Sequence, residues 1–131
     1  MYKHFEHVGM ATPDLDRCLH FYVDLLGMKL IVRKTASNGT QVAFVDAGGG
    51  QLEIMSPPGL KAGPARKVPN DEPGLRHLTF AFDNIDETYA MLMAAGVTGV
   101  EKPRDAYNKD ILARVAFVED PDGNVVELAQ H

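Results

Sequence analysis

The feature that most constrains this chain is an internal repeat. His7 and Glu53 stand 46 positions apart, and His77 and Glu127 stand 50 positions apart, each in a short segment patterned as a β-strand. A repeat of this length requires each copy to be the same supersecondary unit, which limits the fold more strongly than any local propensity. Two imidazoles and two carboxylates are also a ligand set suited to one borderline divalent metal ion.

The first copy begins with alternation over residues 4–11. Phe5, His7, Gly9 and Ala11 share one face, and Glu6, Val8 and Met10 the other. Thr12-Pro13-Asp14 then opens a helix, with Thr12 as N-cap, Pro13 at the first helical position, and Asp14 and Asp16 complementing the dipole. Leu15, Leu19, Val23 and Leu26 recur at helical spacing, which predicts an amphipathic helix over 13–26, ended by Gly27. Strands follow at 28–35, 41–46 and 51–56, with turns at Asn38-Gly39 and at 47–50.

The second copy has the same order. A strand over 75–82 leads to a helix capped by Asp83 or Asn84, with Ile85, Tyr89, Leu92 and Met93 on its apolar face and Gly96 at its end. Strands at 97–102, 112–118 and 124–129 complete it, with a polar loop at 103–110 and a tight turn at Asp120-Pro121-Asp122-Gly123. Each copy therefore reads β-α-β-β-β. The expected organisation is a single domain of two modules, 1–56 and 75–131, joined by a linker over 57–74. That linker carries Pro57, Pro58, Pro64, Pro69 and Pro73 together with Lys61, Arg66 and Lys67. It reads as a solvated connection, with a mobile basic lid as the sharper alternative.

Strand parity links the repeat to a site. The neighbours of His7, Glu53, His77 and Glu127 within their strands are apolar: Val8, Leu52 and Ile54, Leu78, Val126 and Leu128. Successive side chains alternate faces, so all four ligand-type residues point away from the side that packs on the helices. The α+β fold expected is two βαβββ modules forming a cupped mixed sheet, helices on the convex side and the four residues on the other. His4, His20 and His131 have no counterparts in the repeat and read as surface or terminal groups.

Composition excludes several function classes. The net charge is −5 and no basic stripe is interleaved with aromatics, which argues against a nucleic-acid partner. No apolar run approaches membrane-spanning length and no signal peptide is visible, so no membrane partner and a cytoplasmic location are expected. Cys18, the single cysteine, suits a reducing compartment and reads as a buried structural thiol.

The chain resembles the vicinal oxygen chelate superfamily, which includes glyoxalase I, methylmalonyl-CoA epimerase, extradiol dioxygenases and bleomycin-binding proteins. The resemblance rests on Glu6-His7-Val8-Gly9-Met10, Phe21-Tyr22, Leu26-Gly27-Met28 and Leu52-Glu53-Ile54 in the first copy. In the second it rests on Arg76-His77-Leu78, the run from Phe117 to Asn124, and Val126-Glu127-Leu128.

That resemblance implies one divalent ion (zinc, nickel, cobalt, manganese or iron) held by His7, Glu53, His77 and Glu127, and a homodimer. A fourth ligand at Glu53 is more like glyoxalase I and the epimerases than the three-ligand dioxygenases. In those two families a metal-stabilised enediolate or enolate forms from a small-molecule carbonyl substrate. Glu53 and Glu127 are then the catalytic candidates, and likeness to glyoxalase I favours Glu127 as the base. Ala11 and Pro57 stand where bacterial-type glyoxalase I has Arg and Asn, which argues against a glutathione adduct. Arg33, Lys109 and Arg114 read first as surface charges, with anchoring of a substrate carboxylate or phosphate as the sharper alternative. The alternatives are a non-enzymatic drug-binding protein and a metal-dependent dioxygenase.

Overall fold

A computed structural model describes residues 1–131 and divides them into two compact units, Met1–Gly63 and Pro64–His131. The first unit contains β1 (His7–Ala11), α1 (Leu15–Leu19) continued by a π-helical segment (His20–Leu25), β2 (Lys29–Thr35), β3 (Gln41–Asp46) and β4 (Gln51–Ser56). The second contains β5 (Leu78–Ala81), α2 (Ile85–Ala94), β6 (Gly99–Asp105), β7 (Arg114–Glu119) and β8 (Val125–Gln130). Strand order is β1-β4-β3-β2 in one sheet and β5-β8-β7-β6 in the other. In each, the first strand runs parallel to the last and the remaining pairs are antiparallel. The expected pair of βαβββ modules is present. The parallel pair needs a crossover connection, which the helix of each module supplies.

The parity argument holds strand by strand. Leu52 and Ile54 of β4 and Ala43 and Val45 of β3 are buried on one face, as are Val126 and Leu128 of β8 and Ala116 and Val118 of β7. α1 packs against β4, and α2 packs against β6, β7 and β8. Removing this apolar surface from water is the main driving force for each unit.

The first helix differs from the expected 13–26. Asp14, not Thr12, is its N-cap, accepting from the Arg17 amide at 3.0 Å. Thr12 is buried and accepts from the Asp14 amide at 3.2 Å while donating to the Asp14 carbonyl at 3.1 Å, a local turn that precedes the helix. Beyond Leu19 the backbone widens, with the Leu26 amide bonded to the Phe21 carbonyl at 2.9 Å. The wider π turn carries two consecutive aromatics inward. Phe21 and Tyr22 are buried and meet edge to face at 4.8 Å, so they, rather than Val23 and Leu26, fill the core.

In the second unit Asn84 caps α2 through the Glu87 amide at 3.2 Å. The Gln130 side chain accepts from the Ile85 amide at 3.0 Å, tying β8 to the same helix end. Gly27 and Gly96 take φ of +82° and +86° just past the helical segments, a conformation open chiefly to glycine. β6 runs to Asp105, further than expected, and includes Pro103. It is an edge strand with two register breaks, where a residue without an amide hydrogen is tolerated.

The segment before β5 is tied down on the described chain. The Arg76 guanidinium donates to the carbonyls of Val68, Pro69, Asn70 and Glu72 at 2.6–3.2 Å. The Ala65 amide bonds the Asp122 carbonyl at 2.7 Å, and Lys67 pairs with Glu119. No helix is long and apolar enough to cross a membrane.

Candidate metal centre

Cross-strand register builds the same row of residues in both sheets. In the first unit Gly9, Glu53, Phe44 and Val32 lie side by side across β1, β4, β3 and β2. In the second, Thr79, Glu127, Phe117 and Glu101 do so across β5, β8, β7 and β6. Neighbours in register share a face, and alternation puts His7 and His77 two positions from the row on that face. The face is the one turned away from the helices.

Within the second unit His77 and Glu127 are in direct contact, Nε2 to Oε2 at 2.7 Å. The same Glu127 oxygen accepts from the Thr79 hydroxyl at 3.0 Å. The Glu127 side chain is 11% exposed against 32% for His77, so the carboxylate is sunk and the imidazole stands above it. In the first unit the nearest partner of His7 is Glu6, whose carboxylate holds Nδ1. That bond, followed by the charges of Glu6 and Glu53, raises the His7 pKa above its ordinary value. Each unit thus brings one predicted His and one predicted Glu onto a common face. Neither unit alone gathers three or more His, Cys, Asp or Glu side chains into a metal-holding group.

The donors fit a divalent ion in kind. Ligand bonds of about 2.0–2.2 Å put adjacent ligands on one ion roughly 3 Å apart. The 2.7 Å contact of His77 with Glu127 is close to that separation, so both could turn onto one ion with small side-chain motion. In the other half, Glu6 occupies Nδ1 of His7 and leaves Nε2 for a metal, the usual way in which a carboxylate behind a ligand imidazole fixes ring and tautomer.

Residues that the repeat alone did not single out also occupy this face. Phe44 meets the His7 ring edge to face at 5.9 Å and 81°, and Phe117 meets His77 at 5.5 Å and 78°. Their signal in the sequence was a phenylalanine nine or ten positions ahead of each Glu. Thr79 and Glu6 act through the neighbours just described. Arg104 is the fifth addition. It lies opposite Val115, which lies opposite Ala129 and, through it, Ala81, so it shares the face of Thr79 and Glu127. Its Nε is 2.5 Å from Glu101 and its guanidinium stacks 4.0 Å above the Tyr107 ring. The Glu101 bond first, with smaller contributions from Glu101, Tyr107 and Glu127 charges, raises its pKa further.

The three possible anchors for a substrate anion are engaged in ion pairs, as surface charges would be. Arg33 lies opposite the buried Ala43, on the helix face, and pairs with Asp16 of α1 at 2.6 Å. Arg114 grips Asp86 of α2 through both oxygens, at 2.8 and 2.7 Å. Lys109 pairs with Asp105 at 2.9 Å. Cys18 is buried, as a structural thiol would be.

Residues 4–128 match the family model of the glyoxalase/bleomycin resistance protein/dioxygenase superfamily. The chain belongs to that superfamily. It is 33% identical over 141 residues to a lactoylglutathione lyase of Schizosaccharomyces pombe, covering 93% of this chain and 45% of that protein. The chain therefore spans less than half of that relative. It is 29% identical to the mitochondrial methylmalonyl-CoA epimerase of Mus musculus, over 95% of this chain and 71% of that one. Among solved structures, a glyoxalase family protein from Enterococcus faecalis superposes with a TM-score of 0.74 at 26% identity, covering 98% of both chains.

Proposed function

We propose that the superfamily member described here is a metal-dependent lyase or isomerase that moves a proton on a carbon next to the carbonyl of a small substrate. The observation that carries this reading is the doubled His, Glu and Phe arrangement, built at matching register in both sheets and on the face free of the helices. His7, Glu53, His77 and Glu127 are the ligand set, completed either within one chain or between the two chains of a homodimer.

When bound, a divalent ion supplies Lewis-acid polarisation of the substrate carbonyl. The chain's residues do the rest. His7 and His77 are fixed donors, the first oriented by Glu6 and both backed by a phenylalanine ring. A carboxylate of the set, Glu53 or Glu127, takes the proton from the carbon beside the carbonyl and returns it to the same or the adjacent carbon. Phe44 and Phe117 border the donors with apolar surface, which limits water around them.

Metal analysis of untagged protein tests the reading. One divalent ion per set is expected, and His77→Ala should lower its affinity at least tenfold. Light scattering should give a dimer. A parent protein that binds zinc, nickel, cobalt, manganese and iron no better than the variant would transfer the reading to a binding protein without chemistry.

A further inference from the structure

The two carboxylates of the repeat are chemically unequal. Glu127 lies opposite Thr79, whose hydroxyl donates to Oε2 at 3.0 Å, and that same oxygen faces His77. Glu53 lies opposite Gly9 at the equivalent register. Glycine offers no donor, and a Cβ built there would stand 3.8 Å from Glu53 Oε1, an ordinary contact. Room for a Cβ, bounded on its other side by Met55 Cε at 3.8 Å, therefore borders Glu53 where Glu127 has a hydroxyl. The repeat is preserved in the ligand-type residues and broken in the residue beside each carboxylate.

We propose that Thr79 is a positioning residue that makes Glu127 the stationary carboxylate of the metal set, and that Gly9 leaves Glu53 the movable one. This rests on the four-residue ligand set proposed above. A carboxylate held by a neighbouring hydroxyl loses rotamer freedom before the ion arrives, so less ordering remains for binding to supply. The Glu53 side chain keeps that freedom and can leave a ligand position without breaking a hydrogen bond to the protein. Thr79 therefore works against Glu127, and in favour of Glu53, as the carboxylate that turns toward a substrate. That reverses the preference drawn from likeness to glyoxalase I.

Cobalt(II) affinity of the full chain, measured by chelator competition without any substrate, tests the assignment. Thr79→Val removes the hydroxyl at nearly constant shape and should weaken Co(II) binding about tenfold, the scale typical of groups that orient metal ligands. Thr79→Ser should restore it to within about threefold. The melting temperature of metal-free Thr79→Val should stay near the parent's, which separates positioning from a folding defect. In a double-mutant cycle the Thr79→Val effect should vanish with Glu127→Ala, which removes the acceptor, and persist with Glu53→Ala. Gly9→Ser, which offers Glu53 the missing hydroxyl, should tighten Co(II) binding. Thr79→Val with parent affinity, or an effect that persists alongside Glu127→Ala, overturns the proposal. Failure of the ligand set itself would look different: His77→Ala would then bind Co(II) as well as the parent.

Discussion

Phe117 presents its ring edge to face to His77, with centroids 5.5 Å apart, and Phe44 stands to His7 in the same way at 5.9 Å. Each phenylalanine is the cross-strand neighbour of the Glu in its unit, so the residue that meets the His ring also stands beside the Glu of the proposed ligand pair. Aromatic pairs of this geometry contribute about 0.5–1.5 kcal/mol beyond the area they bury. Phe117→Leu keeps most of the apolar volume and removes the ring. It should weaken divalent-ion binding roughly two- to tenfold, the same energy read as affinity. Isothermal titration of the metal-free protein measures this, and unchanged affinity would show that the ring does not position His77.

The turn after β7 is specified by one side chain. Asp120 is buried and accepts from the amides of Asp122 and Asn124, both at 2.9 Å, and from the Asn124 side chain at 2.8 Å. These bonds fix the chain reversal that aligns β8 beside β7, and so the position of Glu127 in its row. Asp120→Ala strands the donors in a buried setting and should cost about 2–3 kcal/mol, while Asp120→Asn keeps an acceptor and should cost about half as much. Urea unfolding of both variants makes the comparison.

How far this could be read in advance depends on whether local chemistry or packing decides. Asp120-Pro121-Asp122-Gly123 was legible as a turn because its residues carry the reason within four positions. The faces of His7, Glu53, His77 and Glu127 were legible because strand alternation is strict. The entry to α1 was not, because Thr12 and Asp14 are both good caps and only burial of Thr12 decides between them. The π-helical turn was hidden as well, since Leu15, Leu19, Val23 and Leu26 match a regular helix and Phe21 and Tyr22 win by size once packed. Arg104 was missed because the pattern ends the strand at 102 and puts this residue in a polar loop over 103–110, whereas the edge strand continues through Pro103 with an irregular register. Arg33 and Arg114 read as surface charges or, alternatively, anchors, and charge alone cannot decide; their strands turn them to the helix face, where each pairs with an aspartate.

Arg76 bears on the segment that read as either a loose connection or a lid. Four carbonyls over residues 68–72 converge on one guanidinium, immediately before His77. A planar fork with five N–H donors can serve several acceptors at once, and a lysine ammonium cannot reproduce it. Arg76→Lys should therefore loosen the segment. Hydrogen exchange of amides between 68 and 75 is expected to accelerate at least tenfold, with β7 and β8 unchanged. Equal exchange in parent and variant would mean that proline content, not Arg76, holds the segment.

Arg104 supplies the final prediction, which concerns substrate choice. It shares the face of Glu127, and its guanidinium is held between Glu101 and the Tyr107 ring with its side chain 28% exposed. Such a cation is oriented in advance, so little freedom is lost when it meets a carboxylate or phosphate. Arg33 and Arg114 pair with Asp16 and Asp86 of the helices on the opposite face, and Lys109 pairs with Asp105 beyond the end of the row; Arg104 is paired too, but on the face of Glu127. An anionic carbonyl substrate should therefore depend on Arg104 more than on any of these three. Arg104→Gln keeps a hydrogen-bond donor on a shorter side chain and loses the charge. Against a panel of small carbonyl compounds with and without a carboxylate, it should raise KM for the charged members about tenfold and leave the neutral ones within about twofold, the spread expected when a single charged contact is removed. Divalent-ion affinity should not fall, because Arg104 donates to neither His77 nor Glu127, and losing a positive charge that acts on Glu127 favours a bound cation. An equal rise in KM for charged and neutral compounds would make Arg104 a support for β6 rather than a recognition residue.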